Sequence, residues 1–221
     1  MMVIVRLFPT HSLDSVWDFV IKKSEKYSKE DVSPLYISQI VGRNFISVIF
    51  EVEKVEQIVK FLIDQIAGCE LISRTHTLTL VKPVFLPIPK DKPKSCFRYS
   101  VELKVSPKHY RNVYERLIEF KYDNTIFPLY ISYVLGESDI LLSMMAPNLD
   151  SLHKFLAEKV NTMEGVLEFT IYSISRSRPI ADEKTWDNFQ RSKLRIPSWL
   201  TSENMKEKYL YDYEIYGESM G

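Results

Sequence analysis

The chain has 221 residues, of which 45% are hydrophobic, enough to bury one large core or two small ones, so disorder is excluded for most of its length. Its 29 basic residues balance its 29 acidic ones, and this zero formal charge advertises no surface for nucleic acid or anionic membrane. Cys69 and Cys96 stand far apart with no CxxC or His-rich neighbourhood, which argues against a disulfide scaffold or zinc ribbon and points to an intracellular, cytoplasmic protein.

The start, Met1 to Arg6, enters an alternating strand pattern rather than a cleavable signal, and no apolar run reaches the ~18 residues of a membrane helix. The first strand is expected from Val3 to Phe8. Leu13, Val16, Trp17, Val20 and Ile21 then fall on one helical stripe, with Thr10 or Ser12 as its cap. Leu35, Ile37 and Val41 switch the period to two, Gly42-Arg43-Asn44 turns the chain, and Ile46, Val48, Phe50 and Val52 resume the alternation as a hairpin. A second helix carries Val55, Ile58, Leu62 and Ile66, and a strand from about Glu70 to Val81 closes the unit.

The same text then repeats. Pro34-Leu35-Tyr36-Ile37-Ser38 recurs letter for letter as Pro128-Leu129-Tyr130-Ile131-Ser132, and at that displacement Gly42 falls on Gly136 and the second helix's stripe on Leu149, Leu152, Leu156 and Val160. The first helix's stripe returns as Tyr110, Val113, Tyr114, Leu117 and Ile118, with Ser106 as N-cap and Pro107 at the first helical position. Strands are expected at Phe97 to Val105, on both sides of Gly136-Glu137-Ser138, and from Val166 to Ser175.

Each copy reads strand, helix, strand, strand, helix, strand. The predicted fold class is α+β: two ferredoxin-like βαββαβ repeats packed sheet to sheet as an intrachain pseudo-dimer of the dimeric α/β-barrel type. The predicted organisation is a first repeat at 1–82, a Pro-rich linker at 83–96, a second repeat at 97–180 and a C-terminal extension at 181–221. Ser202 to about Tyr213 reads as a helix, and Trp186, Phe189, Trp199, Tyr209 and Tyr211 make the extension too apolar to hang free.

The stretch Leu135-Gly136-Glu137-Ser138-Asp139-Ile140-Leu141-Leu142, the helix through Lys154-Phe155-Leu156 and the Glu164-Gly165-Val166 turn leading to Thr170 resemble the effector-binding (RAM) domain of Lrp/AsnC regulators. The resemblance covers residues 3 to 180 as two copies. It implies a ligand-sensing, transcription-related regulator, working by oligomerisation or through a protein partner. It also implies a small, amino-acid-like effector at the second hairpin, held by Tyr133, Gly136, Glu137, Ser138 and Asp139. Two departures qualify it. No helix-turn-helix segment precedes the first strand, so no direct nucleic-acid contact is expected, and Gly42-Arg43-Asn44-Phe45 lacks the acid that Asp139 supplies in the second copy.

His11, His76, His109 and His153 show no metal-ligand spacing, and P-loops, nucleophile elbows, dinucleotide loops and HExxH helices are absent. No catalytic residue, metal or cofactor is therefore assigned, and no membrane contact is expected. The alternatives are an enzyme on the same scaffold, of the kind siroheme decarboxylases represent, acting in a cavity between the sheets, or a structural protein-interaction module.

Overall fold

In the computed structural model, residues 1–27, 32–200 and 209–210 are described. The first half runs β1 (Met2–Pro9), α1 (Leu13–Tyr27), β2 (Ser33–Ile40), β3 (Ile46–Glu51), α2 (Val55–Phe61) and β4 (Ile72–Phe85). A short β5 (Ile88–Pro89) follows. The second half runs β6 (Phe97–Val105), α3 (Tyr110–Glu119), β7 (Phe127–Leu135), β8 (Ile140–Ala146), α4 (Leu149–Phe155) and β9 (Val166–Pro179), and then come α5 (Glu183–Ser192) and β10 (Tyr209–Leu210). Both α2 and α4 finish in a wider π-helical turn, Leu62–Ile66 and Leu156–Val160.

The two halves do not stack as separate sheets, and here the expectation of two sheet-packed ferredoxin-like repeats is corrected. The strands close into one barrel in the order β1-β3-β2-β9-β6-β8-β7-β4. The halves meet edge to edge through β2 with β9 and β4 with β7, both antiparallel. The reason lies in strand length. β4 and β9 run to Phe85 and Pro179, each four residues beyond the ends read from the alternation. The added residues supply the joints: Val84 and Phe85 pair with Ile131 and Tyr130, while Arg176, Ser177, Arg178 and Pro179 pair with Gln39, Ser38, Ile37 and Tyr36. Closure removes the unpaired amide and carbonyl rows that two separate sheets would leave at their edges. Pro83, read as the start of a linker, sits at a register shift between Val81 and Val84, where a missing amide hydrogen is tolerated.

One side of each strand packs on the helices. Val5, Leu7, Ile37, Ile46, Val48 and Phe50 bury against Val16, Trp17, Val20 and Ile58 in the first half. Val101, Leu103, Ile131, Ile140, Leu142 and Met144 bury against Val113, Leu117, Ile118, Leu152 and Leu156 in the second. Ser106, expected as the cap of α3, makes no side-chain cap bond; its carbonyl accepts from the amide of His109 at 2.8 Å in a tight turn opened by Pro107. α4 and α5 are capped as short polar side chains cap helices: the Asn148 side chain accepts from the amide of Ser151, and that of Asp182 from the amide of Thr185.

The extension joins the core. α5 lays Trp186 and Phe189 over one end of the barrel, where Trp186 stacks on Tyr36 at 5.5 Å and meets Phe85 edge-on at 6.2 Å. Backbone bonds tie it down: the Phe85 amide donates to the Lys193 carbonyl, and the Arg195 amide to the Phe85 carbonyl. The helix expected over Ser202 to Tyr213 falls outside the described residues, except that Tyr209–Leu210 form a strand paired with Ile88–Pro89. No helix among the described residues is long and apolar enough to cross a membrane.

Candidate functional site in the barrel lumen

Strand alternation that sends one set of side chains to the helices sends the other set inward. The inward set is unusually polar. Arg6, Ser38, Ser47, Glu102, Ser132 and Ser143 are all buried, and a cavity of about 40 Å³ opens beside Arg6, Ser38, Ser47 and Ser143. Its lining includes Ile4, Arg6, Tyr36, Ser38, Ser47, Arg98, Ser100, Tyr130, Leu141 and Ser143. Eight-stranded barrels have interiors that side chains just fill, so small serines at facing positions are what opens room here.

Two arginines define the electrostatics. Arg6 and Glu102 form an ion pair inside the barrel, each only 8% exposed. The other terminal nitrogen of Arg6 reaches Glu137 Oε2 at 3.4 Å, and its Nε, also buried, has no hydrogen-bond partner. Arg98 donates from Nε to Ser143 Oγ at 3.0 Å and lies 4.5 Å over the Tyr36 ring, but no carboxylate is within ion-pair reach of it among the described residues. The Arg98 side chain is half-buried, so its guanidinium is partly solvated and faces the cavity. Burial raises the pKa of the Tyr130 phenol, the Arg98 charge offsetting part of the effect, so at neutral pH Tyr130 remains a hydrogen-bond donor. The Tyr36 hydroxyl donates to Ser177 Oγ at 2.9 Å.

The repeated pentapeptide acquires a structural meaning here. Tyr36 and Tyr130 are its central residues, and both line the lumen, as do the following serines, Ser38 on the cavity wall and Ser132 bonded to the Val81 carbonyl. The first-strand and sixth-strand residues escaped the sequence reading because they are scattered over many strands with no local spacing. The available signal was their position: Arg6, Arg98, Ser100 and Glu102 all occupy the strand face opposite the helix-packing one.

The five hairpin residues expected to hold an effector are placed as follows. Tyr133 stacks on Tyr114 at 4.0 Å, on the helix side. Gly136 turns the hairpin at φ 154°, and Ser138 is buried with an unpartnered hydroxyl. Glu137 is exposed at the mouth of the lumen, between Arg6 and His76. Asp139 spends both carboxylate oxygens within the chain, accepting from the Val105 amide at 2.8 Å and the Tyr110 hydroxyl at 2.5 Å. The Tyr110 pKa is raised, first by that hydrogen bond and then by burial. Asp139→Ala should therefore lower stability by about 2 kcal/mol in urea denaturation, as loss of hydrogen bonds to a charged acceptor does. An unchanged midpoint would show that the bonds carry no weight.

No group of His, Cys, Asp and Glu able to hold a metal occurs among the described residues. His153 packs on Phe169 at 5.5 Å and His109 lies 3.7 Å from Glu164, both outside the lumen.

No family model matches the chain, and no curated protein matches it. Among solved structures it is similar to the siroheme decarboxylase NirDL, with 8% identity and a TM-score of 0.51 over 87% of this chain and 78% of that one. It is also similar to a mutant chlorite dismutase from Candidatus Nitrospira defluvii, with 10% identity and a TM-score of 0.50 over 86% and 95%. These likenesses concern the barrel fold. They correct the resemblance to Lrp/AsnC effector domains, and with it the regulator and transcription reading. The Gly-x-x-Asp hairpin that carried the resemblance is explained by turn geometry and by the internal bonds of Asp139. Such a hairpin recurs wherever a sheet has this order of elements.

Proposed function

We propose that the protein is an enzyme acting on a small organic molecule held inside the barrel lumen. The observation that carries this reading is Arg98: a cation on a cavity wall, flanked by Ser100, Ser143 and Tyr130 and lacking an acidic partner among the described residues. Arg6 is paired with Glu102, whereas Arg98 beside the cavity is suited to an anionic group brought in by a ligand. Both named neighbours of similar fold are enzymes, which supports an enzyme over a passive binder.

The tetrapyrrole named for the decarboxylase does not fit this chain. The space between sheet and helices in the second half is filled by fully buried Val113, Leu117, Leu152 and Leu156, and no His, Cys or Met lines the cavity to ligate its iron. The chemistry left to the chain's own residues is electrostatic. Arg98 would hold the substrate, and Arg98 with the protonated Tyr130 would stabilise negative charge building on it, in a walled site where fixed donors act more strongly than in water. Glu102, tied to Arg6, is a charge-balancing group.

Ser143→Phe, which fills the cavity, provides the test. Incubating wild type with a library of small acids, alcohols and amides and following each by proton NMR should reveal one class that is consumed, and the variant should consume none. Consumption that persists in Ser143→Phe, or none in wild type together with no ligand-dependent rise in melting temperature, would overturn the reading.

A further inference from the structure

Arg6 is engaged by Glu102 and Glu137, so the lumen cation that meets no acid among the described residues is Arg98. What Arg98 can grip follows from how it is held. Its Nε donates to Ser143 Oγ at 3.0 Å, and its guanidinium carbon lies 4.5 Å from the centre of the Tyr36 ring. The first contact fixes the edge that carries Nε, and the second covers one side of the group. What is left is the fork of the two terminal nitrogens; neither has a partner among the described residues, and neither is sealed in by the protein. Such a fork matches two oxygens carried on one carbon and bonds both at once. The Tyr130 hydroxyl, on the same cavity and within the influence of the Arg98 charge, supplies a further donor. The room beside them, about 40 Å³, is the space of about three water molecules, and Ile49 and Leu141 stand in its wall. A carboxylate with a carbon or so behind it fills that space.

We infer that Arg98 is a carboxylate fork aimed by Ser143 and Tyr36 as positioning residues, and that the lumen takes an acetate-sized carboxylic acid. This rests on the lumen being the active site and names the group by which its substrate is held.

NMR chemical-shift titration, read at the Nε–H signal of Arg98, tests the inference with acetate, its neutral analogue acetamide, chloride, methanesulfonate and the bulky acid pivalate. Acetate should bind about tenfold or more tightly than chloride, which offers the fork a single atom, the difference being worth one charge-assisted hydrogen bond. Methanesulfonate, with a third oxygen to place, should bind more weakly than acetate, and acetamide and pivalate should leave the signal unmoved. Ser143→Ala enlarges the cavity but lets the guanidinium turn, whereas Ser143→Thr narrows the cavity and keeps the acceptor. Positioning requires the preference for acetate over chloride to vanish in Ser143→Ala and to survive in Ser143→Thr; a role in cavity size alone gives the reverse order. Tyr36→Leu should behave as Ser143→Ala does. Arg98→Lys, a charge without a fork, should bind acetate and chloride equally, followed at the amides of Ser100 and Ser143. If Arg98→Lys does not fold, Ser143→Ala and Tyr36→Leu make the same comparison.

Acetate no tighter than chloride, pivalate as tight as acetate, or a preference kept in Ser143→Ala and lost in Ser143→Thr would overturn the inference while leaving the lumen reading in place. So would an Arg98 signal that no anion moves, since the lumen reading is then judged by the library and Ser143→Phe. Acetate binding and library consumption that both persist in Ser143→Phe would overturn the two together.

Discussion

Arg6→Met should cost about 3–5 kcal/mol of stability, because it leaves the Glu102 carboxylate without its counter-charge in the barrel interior. The figure is large because each residue is only 8% exposed, and Glu137, the other carboxylate on Arg6, adds repulsion once the guanidinium is gone. The companion variant, Arg6→Met with Glu102→Leu, should recover most of the loss, since the desolvation cost of both charges is then removed along with their attraction. Urea denaturation of the wild type, the single and the double variant measures this directly. A single variant within about 1 kcal/mol of wild type would show that the pair is hydrated and that Glu102 is not dependent on Arg6.

The second large effect is at the barrel's aromatic end. Trp186→Ala should lower stability by about 3–5 kcal/mol, the range for removing a large buried aromatic side chain. Trp186 is buried, stacked on Tyr36 at 5.5 Å and on Phe189 at 5.9 Å, and edge-on to Phe85. Tyr36 in turn carries the Arg98 guanidinium on its ring, so the truncation should also weaken anion binding in the lumen. Ile196→Ala, at an exposed position of the same segment, should change stability by less than about 0.5 kcal/mol. Equal melting temperatures for Trp186→Ala and Ile196→Ala would mean that the segment beyond Pro179 is an appendage rather than part of the core.

What could be read from the sequence was periodic. The stripes of α1, α2, α3 and α4 and the alternation of the strands are local signals, and the repeat confirmed each by stating it twice. Edge pairing is a different kind of information. Nothing in the alternation of Leu35 and Ile37 says that their strand will bond to residues near 178, and the two closing strands looked shorter than they are because Pro83 and the polar run Ser175 to Arg178 resemble strand ends. The candidate site was hidden for a related reason. Its members are brought together by barrel closure, not by spacing, and single serines on strands carry no motif. In the hairpin of Gly136 and Asp139, which does carry one, the Asp139 carboxylate bonds to the Val105 amide of β6 and the Tyr110 hydroxyl of α3.

Arg6 pairs with Ser47 across the first hairpin's inner strand, and Glu102 with Leu141 across the second's, so the two charges occupy equivalent places in the two halves. Two identical copies brought around a twofold axis would set arginine against arginine, or glutamate against glutamate, at that point. Only unlike halves can hold opposite signs there. Joining both in one polypeptide thus frees the central chamber from symmetry, and a chamber whose ends differ can grip a guest molecule in a single direction.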